Sequence, residues 1–224
     1  MVKQIKGWYF PDSDTHFEQW LERGKGEYQQ KQRSDILSYI KSTGRTDTCI
    51  DVGAHIGLWS RELSQVFKRV FAFEPMPHHR ECFEKNVKKY NVTLFPFALG
   101  DFTGRVDFKI DKENTGNCHI VDNYDKTKGQ FKQKALDEFK LDLLCHGTKK
   151  RLDYIKIDAE GHEKEVLEGA VETLDKHKPF VSVEIKDKIL EKVGKSRHQL
   201  EQQLKDSDYE LILASGCEHL YGRK

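Results

Sequence analysis

One stretch constrains the fold more than any other: Cys49-Ile50-Asp51-Val52-Gly53-Ala54-His55-Ile56-Gly57-Leu58-Trp59-Ser60. It begins short, apolar and β-branched around Ile50 and Val52, the pattern of a buried strand. Gly53 and Gly57 bracket a tight turn, and Leu58, Trp59, Leu63, Val66 and Phe67 then recur at helical spacing. A strand that passes through a glycine turn into a helix lets a ligand approach the backbone in front of the helix N-terminus. The turn therefore reads as a nucleotide-like pocket whose ligand is set by the chemistry around it.

The following chain repeats the strand–helix unit. Residues 69–74 alternate into a second strand that ends in Glu74-Pro75. Pro77 suits the first turn of a helix that would turn Cys82, Phe83, Val87 and Tyr90 inward. Residues 92–99 read as a third strand, with Pro96 at an edge or strand end because it lacks a ladder donor. A fourth strand, 152–158, ends in Asp158, and Val166, Leu167, Ala170, Val171 and Leu174 form a helical stripe after it. Pro179 precedes a fifth strand, 180–185, which carries Glu184 near its end. Ser196 and Gln199 form a capping box, and two short strands fit 208–214 and 217–221. This alternation predicts an α/β fold with a mostly parallel, doubly wound sheet that takes ligands at its carboxyl edge.

Two regions fall outside the repeat. Residues 1–44 form a polar leader in which Phe17, Trp20 and Leu21 share a face, and Ile36, Leu37 and Ile40 make a stripe stopped at Gly44. The expectation is a helix packed beside the first strand, with a lid over the site as the alternative. Residues 101–150 are the least regular. They offer an extra strand near 105–110, a long loop or small insert at 111–134, and a basic stretch over 126–151 that reads as a solvated face.

The chain of 224 residues fits one α/β domain spanning 1–224. A formal net charge of +1 gives no global pull toward nucleic acid or a membrane, and no run of 18 apolar residues exists to span one. The opening Met1 to Lys6 lack a signal-peptide core, and Cys49, Cys82, Cys118, Cys145 and Cys217 are scattered without a C-x-x-C. Reduced thiols and a cytoplasmic location are expected. Cys118-His119 and Cys145-His146 lack paired metal-ligand spacing.

The charge pattern then selects a cofactor. A dinucleotide needs G-x-G-x-x-G to seat its pyrophosphate, but here the glycines are Gly53-x-x-x-Gly57 and His55 stands between them. A P-loop is absent as well, with no Gly-Lys-Ser/Thr after the turn. Asp51 lies two residues before the first glycine, poor company for a phosphate and good company for an ammonium. Glu74, at the end of the second strand, can accept both hydroxyls of a ribose. Two acids at consecutive strand ends favour a cationic, phosphate-free nucleoside, and S-adenosyl-L-methionine has that chemistry.

With these residues placed, the chain resembles the FkbM family of S-adenosylmethionine-dependent methyltransferases over about residues 48–185. The resemblance rests on Asp51-Val-Gly-Ala-His-Ile-Gly57, Phe73-Glu74-Pro75, Ala98-Leu99-Gly100-Asp101, Leu136-Asp137-Glu138-Phe139 and Asp153-Tyr-Ile-Lys-Ile-Asp158-Ala-Glu160-Gly161-His162-Glu163, then Leu167-Glu-Gly-Ala170. His55 and Ala159 stand where asparagine and valine are common in the family. The resemblance implies a class I, Rossmann-like fold, a seven-stranded sheet with one antiparallel strand and helices on both faces. It also implies methyl transfer to an oxygen, often on a sugar or natural product, leaving S-adenosyl-L-homocysteine.

The expected cofactor site is Asp51, Gly53, Ala54, His55 and Gly57 at the methionine end, Glu74 and Pro75 at the ribose, and Phe97, Ala98 and Leu99 at the adenine. Asp158 joins both the cofactor and the catalytic group. His162 is the preferred general base because imidazole titrates near neutral pH, with Glu160 in support. A divalent metal held by Asp158, Glu160, His162 or Glu184 is the less favoured arrangement. The acceptor is expected to be a small molecule or glycan read by residues 1–44 and 101–150. The rival readings are a nucleic-acid methyltransferase, which lacks support from any Asn/Asp-Pro-Pro-aromatic motif, and a non-catalytic cofactor-binding protein.

Overall fold

In the computed structural model, residues 1–23, 29–121, 127–139 and 151–223 are described. The chain opens with a hairpin, β1 (Val2–Ile5) and β2 (Trp8–Pro11), paired antiparallel. Lys6 and Gly7 both take positive φ between them, the backbone a tight hairpin turn requires. Both helices read in the leader form, as α1 (Thr15–Glu22) and α2 (Gln30–Thr43) stopped at Gly44, and the hairpin before them is an addition to that reading.

The repeat then follows. Strand β3 (Thr48–Val52) leads to α3 (Leu58–Val66), β4 (Arg69–Phe73) to α4 (Pro77–Asn86), and β5 (Val92–Phe95) lies at the sheet edge. Tyr90 is fully exposed, against expectation, because α4 ends at Asn86 and Val87 leaves the helical conformation, so the inward phase stops before it. The third strand divides at Pro96-Phe97. Its second part, β6 (Ala98–Leu99), joins β7 (Gly104–Lys109), β8 (His119–Val121) and β9 (Phe131–Lys134) in a separate four-stranded sheet ordered β6-β9-β7-β8. What read as a loop at 111–134 is thus partly a small sheet. Residues 122–126 and 140–150, with Cys145-His146 and much of the basic stretch, lie outside the described residues.

Strand β10 (Tyr154–Ile157) is followed by α5 (Glu163–Glu168) and α6 (Val171–His177), two helices where one was expected. The break at Gly169-Ala170 resets the phase and leaves Val171 exposed. Strand β11 (Phe180–Glu184), helix α7 (Asp187–Lys192), helix α8 (Arg197–Asp206) and strands β12 (Tyr209–Ser215) and β13 (Glu218–Arg223) complete the described chain. The Ser196–Gln199 capping box forms at the start of α8.

The main sheet has seven strands in the order β12-β13-β11-β10-β3-β4-β5. Among the described residues, β13 alone runs opposite to the other strands of this sheet. The pleat sends Ile50, Val52, Ile155 and Ile157 to one face and Cys49 and Tyr154 to the other, where α2 and α3 supply Ile36, Ile40 and Leu63. The α2 stripe therefore packs beside the first strand as expected. The described cysteines, Cys49, Cys82, Cys118 and Cys217, are free thiols. Among the described residues, no helix is long and apolar enough to cross a membrane.

Candidate active site

The carboxyl ends of β3, β4 and β10 meet at one cavity. Its wall takes Gly53, Ala54 and His55 from the glycine turn, Glu74 and Pro75 from the end of β4, and Ala98 and Leu99 from β6. Asp158 and Glu160 enter from the turn after β10. These nine expected site residues are brought together.

Four others are not, each for a local reason. Asp51 is buried on the α3 side of the pleat, where Ser60 Oγ donates to its Oδ2 at 2.6 Å. Gly57 caps α3 and faces Phe83 and Val87. Phe97 stacks into an aromatic cluster with Phe73, Phe95 and Phe139. His162 precedes α5 with its Nδ1 3.5 Å from Glu165 Oε2, away from the cavity wall.

The protein's own packing requires glycine at both positions of the turn. Gly53 has φ +74°, and a Cβ there would lie 1.8 Å from the carbonyl oxygen of Asp158. At Gly57, φ is +94° and a Cβ would fall 2.4 Å from Val87 Cγ2. Close approach between β3 and β10, and between α3 and α4, therefore imposes both residues. His55 also takes left-handed backbone, at φ +49°. Asparagine and histidine tolerate that region better than most residues, so the exchange of one for the other at this position has a backbone explanation. The His55 amide donates to Glu74 Oε2 at 3.0 Å, and its ring Nε2 lies 3.1 Å from Thr115 Oγ1. Burial and the neighbouring His79 hold its imidazole down at about 3, so it is neutral.

The acids differ sharply in charge. Burial alone would raise Asp158, but the Lys156 and Lys186 ammonium groups hold it at about 2. Glu184, beside it, is pushed well up by burial and by the Asp158 charge. Burial, aided by Asp158, pushes Glu160 up to about 7 against the opposing pull of Lys186. Burial likewise lifts Asp51 to about 7 and raises Glu74. Lys186 Nζ bridges Glu184 Oε2 at 2.6 Å and Glu160 Oε1 at 3.0 Å.

Asp158, Glu184 and Glu218 lie close enough together to chelate a metal, but Glu160 and His162 fall outside that group. Two ammonium groups already neutralise it. Lys156 Nζ is 3.1 Å from Glu218 Oε1 and 3.7 Å from Asp158 Oδ2, and Lys186 contacts Glu184. The donor set does not suit a cation.

Several cavity residues escaped the sequence reading. Asp14, His16 and Phe17 from the start of α1 and Gln29 before α2 form part of the wall, as do Asn114 and Thr115 from the insert. The lid alternative thus describes residues 14–17, while α2 packs. Lys186 sits two residues beyond β11, and Trp59 and His79 lie in the first turns of the helices that follow β3 and β4. Three polar atoms of lining residues are buried without a partner: Trp59 Nε1, His79 Nε2 and Glu160 Oε2. A buried polar atom without a partner costs about 1–3 kcal/mol. The Trp59 N–H and the His79 nitrogen fit a ligand that carries a carboxylate and hydroxyls, as S-adenosylmethionine does, and the Glu160 oxygen is left over for a second group.

The sequence model of the methyltransferase FkbM domain matches residues 51–211, from the end of β3 into β12. The chain belongs to the FkbM methyltransferase family. Over 156 residues it is 30% identical to the hexuronic acid methyltransferase AglP of Haloferax volcanii, an alignment that covers 67% of this chain and 61% of that protein. The chain thus spans about three-fifths of that relative's length. A solved FkbM methyltransferase from Methylobacillus flagellatus superposes with a TM-score of 0.51 at 19% identity, covering 80% of this chain and 44% of that one. A putative caffeoyl-CoA O-methyltransferase from Staphylococcus aureus gives 0.56 at 12% identity, covering 93% and 90%. Both share the Rossmann-like methyltransferase fold. The FkbM match runs beyond residue 185, so α7, α8 and the start of β12 belong to the family domain as well.

Proposed function

We propose that the chain is an S-adenosylmethionine-dependent O-methyltransferase acting on a hydroxyl of a sugar or small metabolite. The observation that carries this reading is the cavity wall: an ionised Asp158, the Glu74 carboxylate and Glu160, three acids against the one Lys186 ammonium, with no phosphate cradle among the described residues. Such a wall favours a cationic nucleoside over a phosphorylated one. The glycine-turn residues Gly53, Ala54 and His55, with Asp158, hold the methionine end. Glu74 and Pro75 hold the ribose, and Ala98 and Leu99 flank the adenine. Asp51 acts from behind the wall by fixing Ser60 at the start of α3. S-adenosylmethionine supplies a methyl group on a sulfonium sulfur that leaves as a neutral thioether.

The chain must align an acceptor oxygen and take its proton. Glu160 suits the second task. Its Oε2 has no partner, it lies at the cavity, and a carboxyl that titrates at about 7 is a base near neutral pH. Its Oε1 is held by Lys186. Glu160 therefore replaces His162 as the proposed proton acceptor, since His162 does not reach the wall. Residues 14–17 and 114–120 close the cavity and are the proposed acceptor readers. The named substrate of the Haloferax relative makes uronic acids the first acceptors to try. The test is methyl transfer from labelled S-adenosylmethionine to a panel of uronic acids, neutral glycans and hydroxylated metabolites. Transfer to an oxygen supports the reading; S-adenosylhomocysteine binding with no acceptor turned over would leave a cofactor-binding protein instead.

A further inference from the structure

We infer that His79 is a specificity-determining residue that accepts a hydrogen bond from a ribose hydroxyl of the cofactor. This rests on the proposed S-adenosylmethionine site and adds a residue that none of the sequence motifs contains.

His79 lies in the first turn of α4 and is 2% exposed. Its Nδ1 is 3.3 Å from Glu74 Oε1. The same oxygen accepts from the Met76 amide at 2.8 Å, and Oε2 accepts from the His55 amide at 3.0 Å. Amide donors on both oxygens stabilise the ionised carboxylate. Beside an ionised Glu74, which can only accept, His79 donates from Nδ1, and that tautomer leaves Nε2 as a bare lone pair. That Nε2 is buried without a partner in a residue that lines the cavity. Burial, reinforced by His78, also keeps the ring neutral. The T-shaped packing of the ring against His55 at 4.0 Å and against His78 at 4.4 Å holds it in place.

An acceptor of this kind calls for an O–H or N–H donor from the ligand. Glu74 and His79 stand side by side as two acceptors, which matches the two vicinal hydroxyls of a ribose. A deoxy ligand would leave one of them buried and empty, so the pair selects against it.

The test is titration calorimetry with S-adenosylhomocysteine and its 2′-deoxy and 3′-deoxy forms. The unmodified chain is expected to bind the parent about tenfold more tightly than at least one deoxy form, or about 1.4 kcal/mol. His79→Phe keeps the ring shape and removes the acceptor. It should weaken the parent about tenfold and abolish the discrimination against one of the two deoxy forms while Glu74 keeps that against the other, with thermal unfolding checking that it folds. His79→Gln, whose carbonyl can accept, should recover part of it. Unchanged discrimination in His79→Phe overturns the inference and leaves the cofactor reading standing. No binding of S-adenosylhomocysteine by the unmodified chain overturns both.

Discussion

The floor and the roof of the cavity are built in different ways. The floor is the set of turns at the ends of β3, β4 and β10, held by backbone bonds continuous with the parallel sheet. The Gly53 and Ala54 amides both donate to the Phe73 carbonyl, and the Asp158 amide donates to Val52. The roof is residues 14–17 against residues 113–120. It is joined by a few bonds: the Thr15 and His16 amides to the Glu113 carbonyl, and Thr115 Oγ1 to Asp14 Oδ2 at 2.5 Å. Thr115 also meets His55, so the roof is tied to the floor at the glycine turn. Acids that must keep their relative charges lie on the rigid floor. The residues that would read an acceptor lie where sequence and conformation can change without disturbing the sheet.

This contrast yields four predictions. The largest effect belongs to Glu160, the proton acceptor proposed for the floor. Glu160→Gln is expected to lower turnover about 10²- to 10⁴-fold, with S-adenosylhomocysteine affinity retained, as measured by single-turnover methylation beside calorimetry. A near-normal rate would return the base role to another group.

Next comes the rigidity of the floor. Gly53→Ala places a Cβ 1.8 Å from the Asp158 carbonyl at a positive φ, and should cost about 3 kcal/mol in denaturant unfolding. An unchanged midpoint would mean that β3 and β10 separate easily and that the floor is no firmer than the roof.

The third concerns pH. The Glu160 carboxyl titrates at about 7, above the ordinary glutamate range, so it carries its proton below that value and is a base only above it. Turnover should fall about tenfold per pH unit below 7, and this acid limb should vanish in Glu160→Gln. A limb that survives the substitution belongs to a different residue.

The smallest effect is expected in the roof. Asp14 caps α1 by accepting from the Phe17 amide, and it also accepts from the Thr115 amide and hydroxyl. Asp14→Ala should cost about 1–2 kcal/mol and speed amide exchange over 113–121, while exchange in β3, β4 and β10 stays slow. Equal acceleration in both regions would erase the distinction between them.

The site was readable where its chemistry is local. Gly53, Glu74 and Asp158 each stand at the end of an apolar β-branched run, and parallel pairing then puts such ends side by side. His162 shows the limit of that logic. Its place after the strand looked catalytic, yet its Nδ1 faces Glu165 on its own helix. Asp51 shows a second limit, since the two-residue pleat alternation carried it to the α3 face.

Periodicity, turn glycines and acids at strand ends were enough to specify an α/β fold with a mostly parallel sheet and a cavity at its carboxyl edge, and the motifs resembling the FkbM family added the methyltransferase reading. These are short-range properties of the chain, and hydrogen bonding between strands leaves few ways to assemble them. The roof required the folded molecule, because Asp14 and Thr115 meet across 101 residues without any motif to announce it. The same holds for charge. Asp158 and Glu160 are both carboxylic acids two residues apart, and only their distances to Lys156 and Lys186 and their burial keep one ionised and leave the other a base near neutral pH.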